Sequence, residues 1–223
     1  MGDPINAVRI FNEKEVDEIV IIDIDASRDN RSPNYSQISE IVSEAFMPVA
    51  YGGGISGIDQ LKKLFSIGIE KVILNKAIFK NPQLISEAAG LFGSQSIVAS
   101  LDVKKLRFKG YRVFADNGTN DTGLKPVNFS KEMESLGAGE ILLNSIDRDG
   151  TYKGYDTELI SLVSKAVSIP VIALGGAGSL EDFKLAQQHG ASAVAAGSMF
   201  VFKRPHQAVL INYPDERDLS KKL

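Results

Sequence analysis

The sequence predicts an α/β fold: a (β/α)8 TIM barrel of two repeated half-barrels, forming one domain over residues 1–223. Three observations predict it. Short apolar, β-branched runs alternate with amphipathic stretches along the chain. The runs are almost wholly apolar, as is typical of parallel strands covered on both faces. The chain also repeats itself at a shift of 122 residues.

Seven runs are strand candidates: 19–25, 48–51, 71–75, 96–102, 140–145, 170–174 and 193–196. Amphipathic stretches such as 56–65 and 81–91 predict helices between them. The first helix is expected to begin at Asp3-Pro4, because aspartate caps a helix N-terminus and proline suits its first position. Residues 106–116 depart from this pattern and predict a β-hairpin that turns at Gly110, inserted after the fourth visible strand.

The internal repeat favours a barrel over an open sheet. The shift of 122 residues pairs Pro4 with Pro126, Glu18 with Glu140, Pro48 with Pro170, Gly54 with Gly176, and Gly68 with Gly190. Each half is expected to supply four βα units, one up to about residue 91 and the other from about residue 92. The mate of the run at 96–102 would fall before residue 1. We therefore expect the first strand and the loop after it to be missing from this chain.

The composition argues against several functional classes. A formal net charge of −3 provides no basic surface for nucleic acid. The apolar runs are too short to span a membrane, and the N-terminus lacks the pattern of a signal peptide. With no cysteine and two histidines, neither thiolate chemistry nor a multi-histidine metal site is expected. We expect a cytoplasmic protein without a metal or cofactor.

Candidate anion-binding loops follow four of the predicted strands, in two repeat-related pairs, and three of the four loops contain glycine. One pair is Gly53-Gly54 with Asn75-Lys76, and the other is Gly175-Gly176 with Gly197-Ser198. Glycines let backbone N–H groups approach an anion, and barrel phosphate sites gather at these strand ends. Tight turns alone would also explain an isolated glycine pair. The duplication favours two phosphate sites and a small substrate phosphorylated at both ends.

Carboxylates at the same strand ends are candidates for proton transfer. Asp102 ends an apolar strand, which suits a general acid–base, although a cap for the next turn is an equal alternative. Asp149 lies in the densest polar cluster of the chain and is the second candidate. The partner that the repeat predicts for Asp102 would lie on the missing strand.

Charged residues also begin three strands, at Glu18, Lys71 and Glu140. Solvated strand ends are the ordinary explanation, since the bottom of a barrel normally serves stability. Three charges at the start of three different strands could instead surround the mouth of the barrel axis.

Residues 92–104, 137–156 and 168–183 resemble the cyclase subunit of imidazole glycerol phosphate synthase, and the likeness runs from Gly2 to about Phe202. The resemblance implies a duplicated half-barrel that takes ammonia from a glutaminase subunit docked at the barrel bottom. It further implies that ammonia passes along the axis and reacts with a bisphosphorylated ribulosyl-formimino aminoimidazole. The products would be imidazole glycerol phosphate and an aminoimidazole carboxamide ribotide.

The resemblance also assigns expected roles by position. Asp102 matches one of two catalytic aspartates, and the other belongs to the missing strand, so a form without that strand is expected to be inactive as a cyclase. Glu18, Lys71 and Glu140 match the ammonia gate, and Glu70 matches a contact to the glutaminase. The positions that match phosphate ligands are Gly54, Asn75, Gly150, Gly176, Gly197 and Ser198.

Some positions depart from the family pattern. Lys76 and Asn144 stand where threonine is usual, and Ser56 stands where arginine is usual. The start and tail of the chain look more like paralogues from surface-polysaccharide gene clusters. Those paralogues suggest an ammonia-relay and scaffold subunit for sugar amidation as the alternative function. A phosphoribosyl isomerase of the sister type is a lesser alternative.

Overall fold

A computed structural model describes residues 3–203, 205–206, 208–215, 217 and 219. The strands are β1 Ile19–Ile22, β2 Val49–Gly52, β3 Lys71–Leu74, β4 Ile97–Leu106, β5 Gly110–Ala115, β6 Asn120–Asp121, β7 Glu140–Ser145, β8 Val171–Leu174, β9 Ala193–Val194, β10 Phe202–Lys203 and β11 Ala208–Val209. The helices are α1 Pro4–Glu13, α2 Ile24–Arg28, α3 Tyr35–Glu44, α4 Ile58–Ser66, α5 Lys76–Lys80, α6 Gln83–Phe92, α7 Pro126–Ser135, α8 Thr157–Ser164, α9 Leu180–Gln188 and α10 Ser198–Val201, with a 3-10 turn at Ser94–Ser96.

Seven parallel strands form one curled sheet in the order β1-β2-β3-β4-β7-β8-β9. Helices connect successive strands, which confirms the (β/α)8-barrel type of α/β fold. Two antiparallel strands extend the sheet, because β5 pairs with β4 and β6 pairs with β5. Over residues 3–203, no pairing joins β1 to β9, so the described sheet has two open edges.

The repeat of 122 residues is visible in the element bounds. Under this shift, three pairs of elements have the same first and last positions: helices α1 and α7, strands β2 and β8, and helices α4 and α9. Even the helix caps correspond. Asn34 accepts a hydrogen bond from the Gln37 amide at the start of α3, and Asp156 accepts one from the Leu159 amide at the start of α8. Loops related by the repeat therefore lie at equivalent positions in the two halves of the sheet.

Two apolar layers position the strands. A large core lies between the sheet and the helices and includes Leu61, Ile85 and Met133. A smaller cluster occupies the barrel interior: Ala50, Ile73, Val98 and Leu142, with Ile172 and Leu174 packed against it. Because successive strand side chains point to opposite faces, every second residue of each strand faces this interior.

Several sequence-predicted bounds need correction. The run at 19–25 ends as a strand at Ile22, because the Asp23 side chain accepts a hydrogen bond from the Ala26 amide and starts helix α2. The run at 96–102 continues to Leu106, because β4 pairs onward with β5. Gly110 is the first residue of β5 rather than the apex of the turn. The run at 193–196 ends at Val194. The first helix begins at Pro4 with Asp3 as its cap, as predicted.

No helix in the described ranges is long and apolar enough to cross a membrane.

Candidate functional site

The barrel interior carries polar residues at its two ends and apolar residues between them. Two strands show this alternation: Lys71, Ile73 and Asn75 on and after β3, and Glu140, Leu142 and Asn144 on β7. On β4 between them, Val98 is apolar at the bottom, and Ser100 and Asp102 follow it toward the top. Parallel strands place all their carboxyl ends on one side, so Asn75, Asp102 and Asn144 meet at the top. Lys71 and Glu140, at the amino ends of β3 and β7, meet at the opposite end of the barrel, the bottom.

Asp102 is the centre of the top cluster. Its Oδ1 accepts a hydrogen bond from Asn144 Nδ2 at 2.8 Å, and Asn75 Nδ2 lies 3.5 Å from its Oδ2. Burial raises the pKa of the Asp102 carboxyl, the negative charge of Asp149 raises it further, and the Asn144 hydrogen bond opposes both. A partly buried carboxyl with a raised pKa is suited to proton transfer.

Asn144 belongs to the cluster around Asp102, a role that was not predicted from the sequence, where Asn144 was noted only because threonine is usual at that position. Strand register places it opposite Asp102 on the neighbouring strand. Its amide oxygen is buried and has no hydrogen-bond partner among the described residues, although the amide nitrogen is bonded. The signal available in the sequence was an asparagine directly after the apolar residues 141–143 of the run EILLNS.

The first glycine-loop site is a cavity of about 180 Å³ beside β2 and β3. Gly54 has φ +68°, and a Cβ there would collide with the Arg31 carbonyl oxygen, so no other residue fits without strain. Gln60 holds the loop by bonding to the Gly54 carbonyl and to the Ser56 amide. The lining residues are Ala26, Asn30, Arg31, Ser32, Gly54, Ile55, Ser56, Gln60, Lys76, Ala77 and Lys80.

Asn75, which the sequence places in this first phosphate site, directs its side chain elsewhere. Its Nδ2 donates to the Ser100 carbonyl at 3.0 Å and lies near Asp102. The asparagine therefore joins the cavity wall to the Asp102 cluster. Arg31, Gln60 and Lys80 were not predicted, because they lie in loops or at a helix end without a periodic signal.

The second glycine-loop site is smaller, with a cavity of about 10 Å³ beside β8 and β9. Gly176 repeats the geometry of Gly54, with φ +108° and no room for a Cβ against the Gly154 carbonyl oxygen. The predicted residues meet here. The lining is Asp149, Gly150, Leu174, Gly175, Gly176, Ala177, Ala195, Ala196, Gly197, Ser198 and Met199.

At the bottom of the barrel, Lys71 bridges two carboxylates. Its Nζ lies 2.9 Å from Glu18 Oε2 and 3.0 Å from Glu140 Oε1, and all three side chains are partly buried. Burial lowers the pKa of Lys71, but the bonds to Glu18 and Glu140 outweigh it and leave the pKa raised. The three residues thus form one cluster rather than separate solvated strand ends. Glu70 is exposed beside them.

Other polar residues near the top have structural roles. Asp23 caps α2, Asp25 pairs with Arg28 at 3.1 Å, and Asp147 accepts a hydrogen bond from the Lys105 amide at 3.0 Å. His189 ends α9, with its ring nitrogen 3.0 Å from Ser161 Oγ. The described residues contain no group of three histidine, aspartate or glutamate side chains arranged to hold a metal ion.

The amino-acid sequence is similar to those of known proteins. A model of the family described as histidine biosynthesis protein matches residues 1–205. The chain is 52% identical over 220 residues to a Pseudomonas aeruginosa protein provisionally named imidazole glycerol phosphate synthase subunit hisF2, covering 98% of this chain and 88% of that one. A Leptospira interrogans protein provisionally named HisF is 49% identical, with 98% and 87% covered. The imidazole glycerol phosphate synthase subunit HisF of a Hydrogenobaculum species is 45% identical, with 98% and 87% covered.

Proposed function

The chain belongs to the histidine biosynthesis protein family, and we propose that it acts as the cyclase-type subunit of an imidazole glycerol phosphate synthase. In this proposal it is a lyase-type enzyme subunit. It uses ammonia from a glutaminase subunit on a bisphosphorylated ribulosyl-formimino aminoimidazole, giving imidazole glycerol phosphate and an aminoimidazole carboxamide ribotide.

One observation carries the proposal: Asp102 lies on the central strands of the sheet with a glycine-loop cavity on each side. The first cavity adjoins β2 and β3, and the second adjoins β8 and β9. A substrate with a phosphate at each end would span these cavities and bring its middle over Asp102. The loops at the second cavity would have to move apart to admit the phosphate, because a space of about 10 Å³ holds no more than a water molecule. Phosphate contacts at both ends would hold the reacting atoms in place, which is a large part of what a catalytic site supplies.

Asp102 is suited to move a proton in the middle of such a substrate. Its raised pKa lets the carboxyl hold a proton at a higher pH than an exposed aspartate does. We assign it the role of general acid–base, with Asn144 fixing its orientation. Asp149, whose charge acts on Asp102, is the second candidate for proton transfer.

The supply of ammonia is the second part of the proposal. The Glu18, Lys71 and Glu140 cluster stands at the bottom mouth of the same interior that Asp102 closes at the top. The buried interior residues between the ends are Ala50, Ile73, Val98 and Leu142. An apolar passage suits neutral ammonia and opposes ions, since an ion loses its solvation there. A glutaminase docked on this bottom face would deliver ammonia to that mouth.

The test is an assay of the purified full-length protein with an ammonium salt and the bisphosphorylated substrate, and then with glutamine and a glutaminase subunit. Formation of imidazole glycerol phosphate in both assays is the expected result. Absence of product with ammonium, while phosphate binds at both cavities, would contradict the cyclase proposal.

The alternative is an ammonia-relay subunit for sugar amidation. Lys76 in the first cavity and Asn144 beside Asp102 favour it, because both differ from the threonine that the cyclase resemblance leads one to expect. In this case the chain would stimulate a glutaminase but yield no imidazole product.

A further inference from the structure

We propose that Lys76 makes the first cavity bind phosphate more tightly than the second cavity, which would hold its anion through uncharged groups alone. The inference rests on the proposed function in taking both cavities as anion sites. It adds that the two are chemically different, so they would accept the two ends of an asymmetric ligand in one orientation.

The first cavity is lined by three cationic side chains, Arg31, Lys76 and Lys80. Lys76 and Arg31 each form an ion pair, and the Lys76 side chain is the more enclosed of these two, 25% exposed against 47% for Arg31. A partly enclosed ammonium interacts with an anion more strongly than a fully solvated one, because less water screens the charges. Lys80 is exposed at the end of α5.

The second cavity has the opposite character. None of its described lining residues is cationic, and Asp149 contributes a carboxylate. The repeat makes the comparison direct, because Ser198 begins α10 at the position that Lys76 occupies at the start of α5. A hydroxyl and backbone amides can bind a phosphate there, but they contribute no positive charge.

Neighbouring residues hold the Lys76 ammonium at the cavity. Its Nζ lies 3.1 Å from Asn30 Oδ1 and 3.2 Å from Asp116 Oδ1. Asp116 follows β5 in the hairpin, and its side chain is 46% exposed. Because water screens the exposed Asp116 carboxylate, this ion pair contributes little. A phosphate can therefore take the ammonium, while Asp116 turns to water without leaving a buried charge unpaired.

The experiment measures which of the two sites has the higher affinity for phosphate. Inorganic phosphate is titrated into the ¹⁵N-labelled chain near pH 8, and the backbone amide signals of Gly54 and Ser56 are compared with those of Gly176 and Ser198. We expect half-saturation at the first pair at a phosphate concentration roughly tenfold lower than at the second, the difference typical of one charge-assisted hydrogen bond.

Three variants test whether Lys76 is the cause. Lys76→Ser should weaken phosphate binding at the first site and narrow its difference from the second, with Arg31 and Lys80 still present. Lys76→Arg should keep the original difference because it keeps the charge. Lys131→Ser is the matched control, since it removes one positive charge from α7 and lines neither cavity. Amide signals remote from the cavity, unchanged in each variant, show that the fold is intact.

Equal affinities at the two sites of the original chain, or a first site unaffected by Lys76→Ser, would overturn this inference and leave the proposed function standing. If neither pair of amides responds to phosphate, both the inference and the bisphosphate substrate behind the proposed function are wrong.

Discussion

Asn144 donates a hydrogen bond from Nδ2 to Oδ1 of Asp102 over 2.8 Å, between neighbouring strands that place the two residues directly opposite each other. The bond fixes one carboxylate oxygen and leaves the other directed toward Asn75, 3.5 Å away. It also limits how far burial raises the pKa of Asp102. The geometry of the proposed proton-transfer group is thus set by residues from three strand ends.

The raised pKa of Asp102 predicts a pH-dependent stability difference between the original chain and Asp102→Asn. Below the ordinary value of 3.8 the carboxyl is neutral in both the folded and the unfolded chain. As pH rises through the folded pKa, the unfolded chain holds fewer protons, so the free energy of unfolding of the original chain falls. Asparagine does not titrate, and the variant should gain relative stability over this range.

Urea denaturation at pH values from about 3 to 7 measures this difference. In Asn144→Leu the fall should extend to higher pH, because the hydrogen bond that lowers the pKa of Asp102 is lost. A difference between the original chain and Asp102→Asn that stays constant across the range would show that the carboxyl is not perturbed by burial.

Gly54→Ala should destabilise the chain by about 1–3 kcal/mol, because alanine is strained at φ +68° and its Cβ would meet the Arg31 carbonyl. It should also disturb phosphate binding at the first cavity. Gly57→Ala is the control three residues away, where the φ is extended and no atom lies within 4 Å of a new Cβ. Thermal unfolding of both variants checks this, and equal melting temperatures would contradict the close-packed loop.

Glu70→Lys should weaken the complex with a glutaminase subunit without unfolding the barrel, because Glu70 is exposed beside the Glu18, Lys71 and Glu140 cluster. The control is Glu87→Lys, an equal charge reversal at an exposed position on α6. Titration calorimetry with the glutaminase should show reduced affinity for the first variant alone. Equal affinities would mean that the partner does not contact the bottom face near Glu70.

The open side of the sheet predicts self-association of a polypeptide of residues 1–223. Val20 pairs with Ala50 of the interior cluster, yet Val20 and Ile22 are 38% and 45% exposed on β1, whose other edge is unpaired within the described residues. Exposed strand edges and apolar surface favour association. Ile22→Lys should reduce it, and Ile10→Lys, at an exposed position on α1, should not. Sedimentation analysis that finds the original chain monomeric would contradict the prediction.

The fold was largely predictable because its signals are local. The run at 140–145 is a strand with the predicted bounds, and Asp3-Pro4 starts the first helix. Strand ends were less predictable where a side chain competes with the backbone pattern. Asp23 ends β1 early by capping α2, and the pairing of β4 with β5 extends β4 beyond Asp102.

The candidate site was predictable only in part. Repeat-related glycines indicated both cavities, because a turn that has no room for a side chain requires glycine at that position of the sequence. The bond between Asn144 and Asp102 depends on the register of two strands, which no local pattern encodes. Arg31 and Lys80 reach the first cavity by the course of a loop and the end of a short helix, and neither is part of a motif.

The turnover of Asp102→Asn in the full-length protein, with an ammonium salt and the bisphosphorylated substrate, tests the central claim most directly. Loss of the proposed general acid–base should reduce turnover by roughly 100-fold or more. Substrate affinity should change little, because the two cavities carry the phosphate contacts. An Asp102→Asn variant that converts the substrate at the original rate would contradict the assignment of Asp102 as the proton-transfer group between the two phosphate sites.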